Sequence, residues 1–238
     1  MDNPLSYYTK PEVIQAMFRL HLSVSDEPAN DFIPRESLEF FPKIKSLITT
    51  HVPAHSGHFL ELGCGMGRLC FEVADHFETI EGSDISPDFI HLAKRLQSGE
   101  QEAVAKEYQL QNIGVSIEPP RKGLSLFVES AEQSMERHRE EGNRFDCIAL
   151  INLICRIPAP QPLLREAIER LRPGGILVIA SPYTVAGEWN STGFRSEMLD
   201  ALHGLEWLES TTLPFHYHDF KRRVQISLPE VSLWRANS

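Results

Sequence analysis

From His58 to Ser181 the sequence alternates short aliphatic runs with helical segments, and this alternation constrains the fold more than any other feature. The runs "HFLEL", "TIEGSD", "LSLFVE", "RFDCIALI" and "GGILVIAS" are strand-sized. Between them lie a helix expected from about Arg68 to His76, one opened by "SPDFIHLAKRL", then "AEQSMERHREE" and "QPLLREAIERL". Ser86 is placed to cap the second of these, with Pro87 in its first turn. Apolar strands joined by helices form a mostly parallel sheet covered on both faces, an α/β fold. Helical spacing also covers residues 11–22 and Pro34 to Ile48, so residues 1–57 are expected to form an N-terminal helical lid or cap. Residues 58–238 are then the main domain, with a polar insertion at about 97–123. Near the end, "PFHYHDFKRR" and "VQISLPEVSLW" alternate as the two arms of an antiparallel hairpin.

Composition narrows the function classes. The 238 residues carry a net charge of −10, which disfavours a nucleic-acid backbone or an anionic membrane as the main partner. No aliphatic run approaches membrane-span length, and "MDNPLSYYTK" is not a basic region leading into an apolar one. Cys64, Cys70, Cys147 and Cys155 form no CxxC pair. They read as reduced, buried thiols of a cytoplasmic protein, with no metal site expected.

The chemistry concentrates in "HFLELGCGMGRL", where Gly63, Gly65 and Gly67 alternate after an apolar strand. A dinucleotide site requires a third glycine five residues after the first, and Arg68 stands there. The Gly-Lys-Ser/Thr ending of a phosphate loop is also missing. Glu61, two residues before the first glycine, would repel a phosphate but suits an ammonium. Asp84 ends the second strand, where a carboxylate can accept both hydroxyls of a ribose. A ligand with a ribose, an ammonium and no phosphate is S-adenosylmethionine.

The combination "ELGCGMG", "EGSDIS" and "LRPGGILVIASP" resembles the class I S-adenosylmethionine-dependent methyltransferases, over about residues 58–183. The resemblance implies a Rossmann-like sheet. It sets Glu61 beside the methionine portion of the cofactor, over the backbone of Gly63, Cys64, Gly65 and Gly67. Asp84 would hold the ribose and Ile85 would pack on the adenine. Ser130 and Ala131 would lie near the adenine amine, with Ser130 where Asp is common in the family. Asn152 would stand at the mouth of the site, in contact with cofactor and acceptor.

The stretches "INLICRI", "SPYTVAGEW" and "LPFHYHDFKRRVQISLPEVSLW" further resemble the methyltransferase module of ovothiol biosynthesis, which methylates an imidazole nitrogen of 5-mercaptohistidine. The likeness implies catalytic roles for Asn152 and Tyr183. Acceptor contacts would come from Tyr8, Arg156, Tyr183, Thr184, His216, His218 and Arg222, or Arg223 in place of Arg222. Cys155 and the pair His218-Asp219 depart from that module's pattern where the acceptor is read, pointing to a variant such as a selenium analogue. The acceptor would be a small imidazole amino acid, supplied by a separate sulfoxide synthase or another enzyme forming a carbon–sulfur or carbon–selenium bond. Two other readings stay open: a class I methyltransferase with another O-, S- or N-acceptor, and a regulatory module that binds the cofactor without turnover.

Overall fold

A computed structural model describes residues 9–22, 35–108, 123–184, 193–220 and 223–237. The expectations on Tyr8 and Arg222 lie outside these residues, and the side chains of His218 and Arg223 lie outside them as well.

Helix α1 (Pro11–Leu22) is followed by a 3₁₀ segment (Arg35–Glu39) and helix α2 (Phe40–His51). The sequence reading joined the last two into one helix from Pro34. Pro42 separates them: it lacks an N–H, and its ring is tolerated only in the first turn, so the α-helix starts at Phe40. Strand β1 (Ser56–Leu62) then leads through the glycine turn to α3 (Arg68–Glu72). This helix is shorter than the expected run to His76. After Val73 the chain turns, with the His76 amide on Val73 O and its ring nitrogen 2.8 Å from Val52 O, to enter β2 (Phe77–Asp84).

The alternation continues through α4 (Pro87–Gln97), α5 (Gln101–Glu107), β3 (Leu124–Val128), α6 (Ala131–Glu141), β4 (Phe145–Ile151), α7 (Pro160–Arg170) and β5 (Leu171–Ser181). Helix α5 opens the polar insertion, anchored by Val104, which is fully buried. Then follow α8 (Phe194–Asp200), β6 (Leu205–Thr212), β7 (Phe215–Phe220), β8 (Arg223–Ser227) and β9 (Glu230–Ala236). Neither α8 nor β6 was anticipated.

The central sheet has the order β3-β2-β1-β4-β5-β9-β6. Its first five strands are parallel, while β9 runs antiparallel between β5 and β6. The expected hairpin exists as β7 and β8, which pair as a separate two-stranded sheet. Its second arm was expected to run to Trp234. Instead the chain crosses at Pro229 and enters the large sheet as β9, where "EVSLW" pairs with β5 on one side and β6 on the other and buries Val231 and Leu233.

The central strands β1, β4 and β5 carry buried residues on both faces, as parallel strands between helices do. On one face Phe59, Ile80, Cys147 and Val178 meet Phe40, Ile44 and Ile48 of α2 and Phe89 and Leu92 of α4. On the other, Leu60, Ile148 and Ile179 meet Met135 of α6, Leu164 of α7 and Met198 of α8. The sheet order reverses between β1 and β4. A crevice therefore opens at the carboxyl ends of these two strands, the usual ligand position in such sheets.

Candidate active site

Glycine shapes the loop after β1. Gly63, Gly65 and Gly67 have φ of +73°, +56° and +78°, a region that side chains rarely adopt. Gly63 N and Cys64 N donate to Ser83 O, at 2.8 and 2.9 Å, and tie the loop to β2. A Cβ on Gly63 would stand 2.9 Å from Leu153 Cδ1, and one on Gly65 would stand 2.8 Å from the His21 ring. The turn is thus pressed between the segment after β4 and the end of α1.

Two carboxylates face this turn. Asp84 accepts from Gly65 N through Oδ2 and from Ser86 N through Oδ1, both at 2.9 Å. Burial pushes its carboxyl up, against the pull of those two amides. Each oxygen keeps a lone pair for a further donor, such as one hydroxyl of a diol. Glu61 is 2% exposed and accepts from Cys70 Sγ at 3.1 Å. Burial drives its carboxyl up to about 8, the Cys70 hydrogen bonds oppose this, and the nearby Asp84 charge adds to it.

Beyond Asp84, Ile85 is 41% exposed, an apolar side chain left bare at the crevice. Val128, on the residue paired with Asp84, is bare as well. Ser130 caps α6: its hydroxyl accepts from Gln133 N at 3.2 Å, and Gln133 Oε1 accepts from Ser130 N at 2.9 Å. This box uses Ser130's backbone N–H and one of its lone pairs and leaves the hydroxyl hydrogen to another partner. Ala131 is buried beside it.

The acceptor candidates divide into two groups. Asn152, Cys155, Arg156, Tyr183 and Thr184 all follow the carboxyl ends of β4 and β5. Asn152 has φ +54°, a conformation Asn tolerates better than most residues, and its N–H donates to Ala180 O at 2.8 Å. Its Oδ1 is buried without a hydrogen-bond partner among the described residues. Cys155 Sγ lies 3.4 Å from Asn152 O, and burial keeps the thiol protonated. Arg156 and Thr184 are exposed. Tyr183, with φ +51°, turns its ring toward Phe194, and the Arg195 guanidinium lies 5.7 Å from the ring centroid. Its phenol is pushed up by burial.

His216 is in the other group. It is 2% exposed on β7, with Nδ1 2.8 Å from Ser37 Oγ, where β7 packs against α1 and the 3₁₀ segment. The ring is therefore enclosed in the N-terminal packing. His21 and Cys70 were not anticipated as site residues. Cys70 lies one turn of α3 beyond the glycines, a spacing that could have flagged it. Nothing in the local sequence places His21 on Gly65.

A family model described as a methyltransferase domain matches residues 60–177, from β1 into β5. The chain is a class I S-adenosylmethionine-dependent methyltransferase. Ubiquinone biosynthesis O-methyltransferase of Coxiella burnetii is 25% identical over 191 residues, covering 71% of each chain. The N-methyltransferase NodS of Bradyrhizobium japonicum, solved with S-adenosylhomocysteine, superposes with a TM-score of 0.58 at 16% identity, over 94% of this chain and 98% of that one. TehB of Haemophilus influenzae gives a TM-score of 0.57 at 12% identity, over 94% of this chain and 67% of that one. These two likenesses are of fold.

The methyltransferase crevice fits the cofactor on its own terms. Asp84 has lone pairs to spare, Ile85 offers a bare apolar surface for a purine, and the three positive-φ glycines carry the backbone of the turn close beside both. The cofactor supplies an electrophilic methyl group on a sulfonium. What the chain would supply is position: Asp84 and the glycine turn would hold the nucleoside end, with the ends of β4 and β5 beside the acceptor. Fixing nucleophile and methyl in line accounts for much of such a rate enhancement. Among the described residues, no helix is long and apolar enough to cross a membrane.

Proposed function

We propose that this methyltransferase transfers the methyl group to a ring nitrogen of an imidazole amino acid bearing a thiol or selenol, of the 5-mercaptohistidine type. The observation that carries the reading is Asn152, whose buried Oδ1 lacks a partner at the carboxyl end of β4. A buried acceptor left unmade is costly, so the site is suited to a ligand that brings an N–H. A neutral imidazole donates one N–H to that oxygen and presents the in-plane lone pair of its other nitrogen to the methyl. After transfer the remaining ring proton leaves to water. No base is required to start the reaction. This agrees with residues 152–156 and 181–184, which contain no carboxylate and no imidazole.

The remaining contacts suit the same acceptor. The protonated Cys155 thiol is a soft, polarizable neighbour for sulfur or selenium, and exposed Arg156 can take a carboxylate. Such an acceptor would come from a separate enzyme that forms a carbon–sulfur or carbon–selenium bond. A second reading, methylation of an oxygen, is favoured by the O-methyltransferase names of relatives at about one-quarter identity. It asks for a base that residues 152–156 and 181–184 do not offer.

The decisive experiment offers 5-mercaptohistidine, its selenium analogue, histidine and a catechol to the enzyme, with mass spectrometry of the products. The expected result is one methyl on ring nitrogen of the chalcogen-bearing amino acid, with histidine at least ~10³-fold poorer, as when a site's polar groups are left unpaired. Methylation at sulfur, or faster turnover of histidine or catechol, overturns the reading.

A further inference from the structure

We propose that His21, from the N-terminal helix α1, is a cofactor-binding residue that hydrogen-bonds the carboxylate on the amino-acid portion of S-adenosylmethionine. The first ground is position. His21 Nε2 and Cε1 lie 2.8 and 2.9 Å from the point where a Cβ on Gly65 would stand. The same glycine donates its N–H to Asp84 Oδ2, so a ligand that lies along this backbone from Asp84 meets the imidazole next.

The second ground is an unmade hydrogen bond. His21 is 5% exposed, and its Nδ1 is buried with no partner among the described residues. The ring packs on Phe41, with centroids 5.3 Å apart and planes 32° from parallel. A phenyl or aliphatic side chain would fill that place without stranding a polar nitrogen, so packing alone does not account for histidine.

The third ground is anchoring and charge. Arg68 Nη1 donates to His21 O at 2.8 Å, and Arg68 Nη2 pairs with Glu72 at 2.6 Å, which pins the end of α1 to α3. The amino-acid portion of the ligand is a zwitterion and needs a hydrogen-bond acceptor for its ammonium and a donor for its carboxylate. Glu61 and His21 border the glycine turn and supply one of each. Burial and the Arg68 charge lower the imidazole to about 3, so the ring is neutral at any working pH. It donates one N–H and forms no ion pair, and the contact is insensitive to pH above that value.

Equilibrium binding tests this without any acceptor, so the outcome does not depend on which molecule is methylated. Two ligands are compared by calorimetry: S-adenosylhomocysteine, and 5′-(3-aminopropylthio)-5′-deoxyadenosine, which keeps the ammonium and lacks the carboxylate. His21→Phe keeps a ring on Phe41 and removes both nitrogens. It is expected to weaken S-adenosylhomocysteine about tenfold or more, the scale of a hydrogen bond to a charged group, and to shift the carboxylate-free ligand less than twofold. His21→Gln, with an amide N–H, is expected to recover part of the loss. Equal weakening of both ligands, or no change in either, assigns His21 to packing and overturns the proposal. Should His21→Phe fail to fold, the unaltered protein still decides: less than a threefold preference for S-adenosylhomocysteine over the carboxylate-free ligand also overturns it.

Discussion

Burial near the end of β1 pushes the Glu61 carboxyl up to about 8, and that has a measurable consequence at the scale of one residue. A carboxyl whose folded-state value lies above its ordinary 4.5 stabilises the fold at low pH. That stability is lost as pH rises toward 8. His21 and His138 act in the opposite sense, since burial lowers them to about 3 and about 4, and their effect is complete above about 6.5. The window from pH 6.5 to 8 therefore excludes the histidines and reads the raised carboxyls, Glu61 foremost. The thermal midpoint of the ligand-free protein is expected to fall across it, and Glu61→Gln should flatten that slope by more than half; an equally steep variant removes Glu61 as the cause. Asp84 gives the second residue-scale prediction. Asp84→Ala strips acceptors from Gly65 N and Ser86 N and from the ribose, so S-adenosylhomocysteine should bind at least about 2–3 kcal/mol more weakly. Unchanged affinity by calorimetry in a folded variant would remove Asp84 from the cofactor site.

At the scale of elements, the caps decide where helices begin beside the crevice. Ser86 accepts from Phe89 N at the start of α4, and Ser130 shares a reciprocal pair of bonds with Gln133 at the start of α6. Both follow closely on a strand that ends at the crevice, so each cap also sets the direction in which the chain leaves it. Ser130→Ala is expected to cost about 1 kcal/mol in urea unfolding, the usual worth of such a cap, with a cofactor affinity changed less than threefold. A much larger loss of affinity would mean that the Ser130 hydroxyl touches the adenine itself. Helix α3 is only five residues long, and its lock is the Arg68–Glu72 pair that also grips α1.

The whole molecule depends on strand β9, which comes last in sequence and lies inside the sheet. Leu233 and Val231 are fully buried, and β9 pairs with β5 on one side and β6 on the other. Leu233→Ala should cost about 2–5 kcal/mol, the range for a truncated buried leucine, and lower the thermal midpoint accordingly. A loss under about 1 kcal/mol would show that β6 and β9 are peripheral to the cooperative fold. Because β5 also carries the Ser181–Thr184 segment, a loosened β9 is expected to raise the acceptor KM before it affects cofactor binding.

The sequence by itself determined the parallel half of this protein. Apolar runs mark β1, β3, β4 and β5, Ser86-Pro87 marks a helix start, and the G-x-G-x-G spacing with Glu61 and Asp84 suits a phosphate-free nucleoside ligand. These signals are local: a pattern of side chains fixes an element, and three glycines fix a turn that no other residue adopts without strain. Strand β6, "LEWLESTT", escaped notice because an edge strand needs few buried residues, and Trp207 on it is 56% exposed. Only the tertiary structure decided that β9 separates β5 from β6, since antiparallel pairing depends on which strands face each other and not on their own pattern. It likewise decided that His216 bonds Ser37, 179 positions away, and that His21 rests on Gly65. Contacts between residues so distant in sequence are set by helix packing on the sheet, and packing leaves no signature in either segment alone.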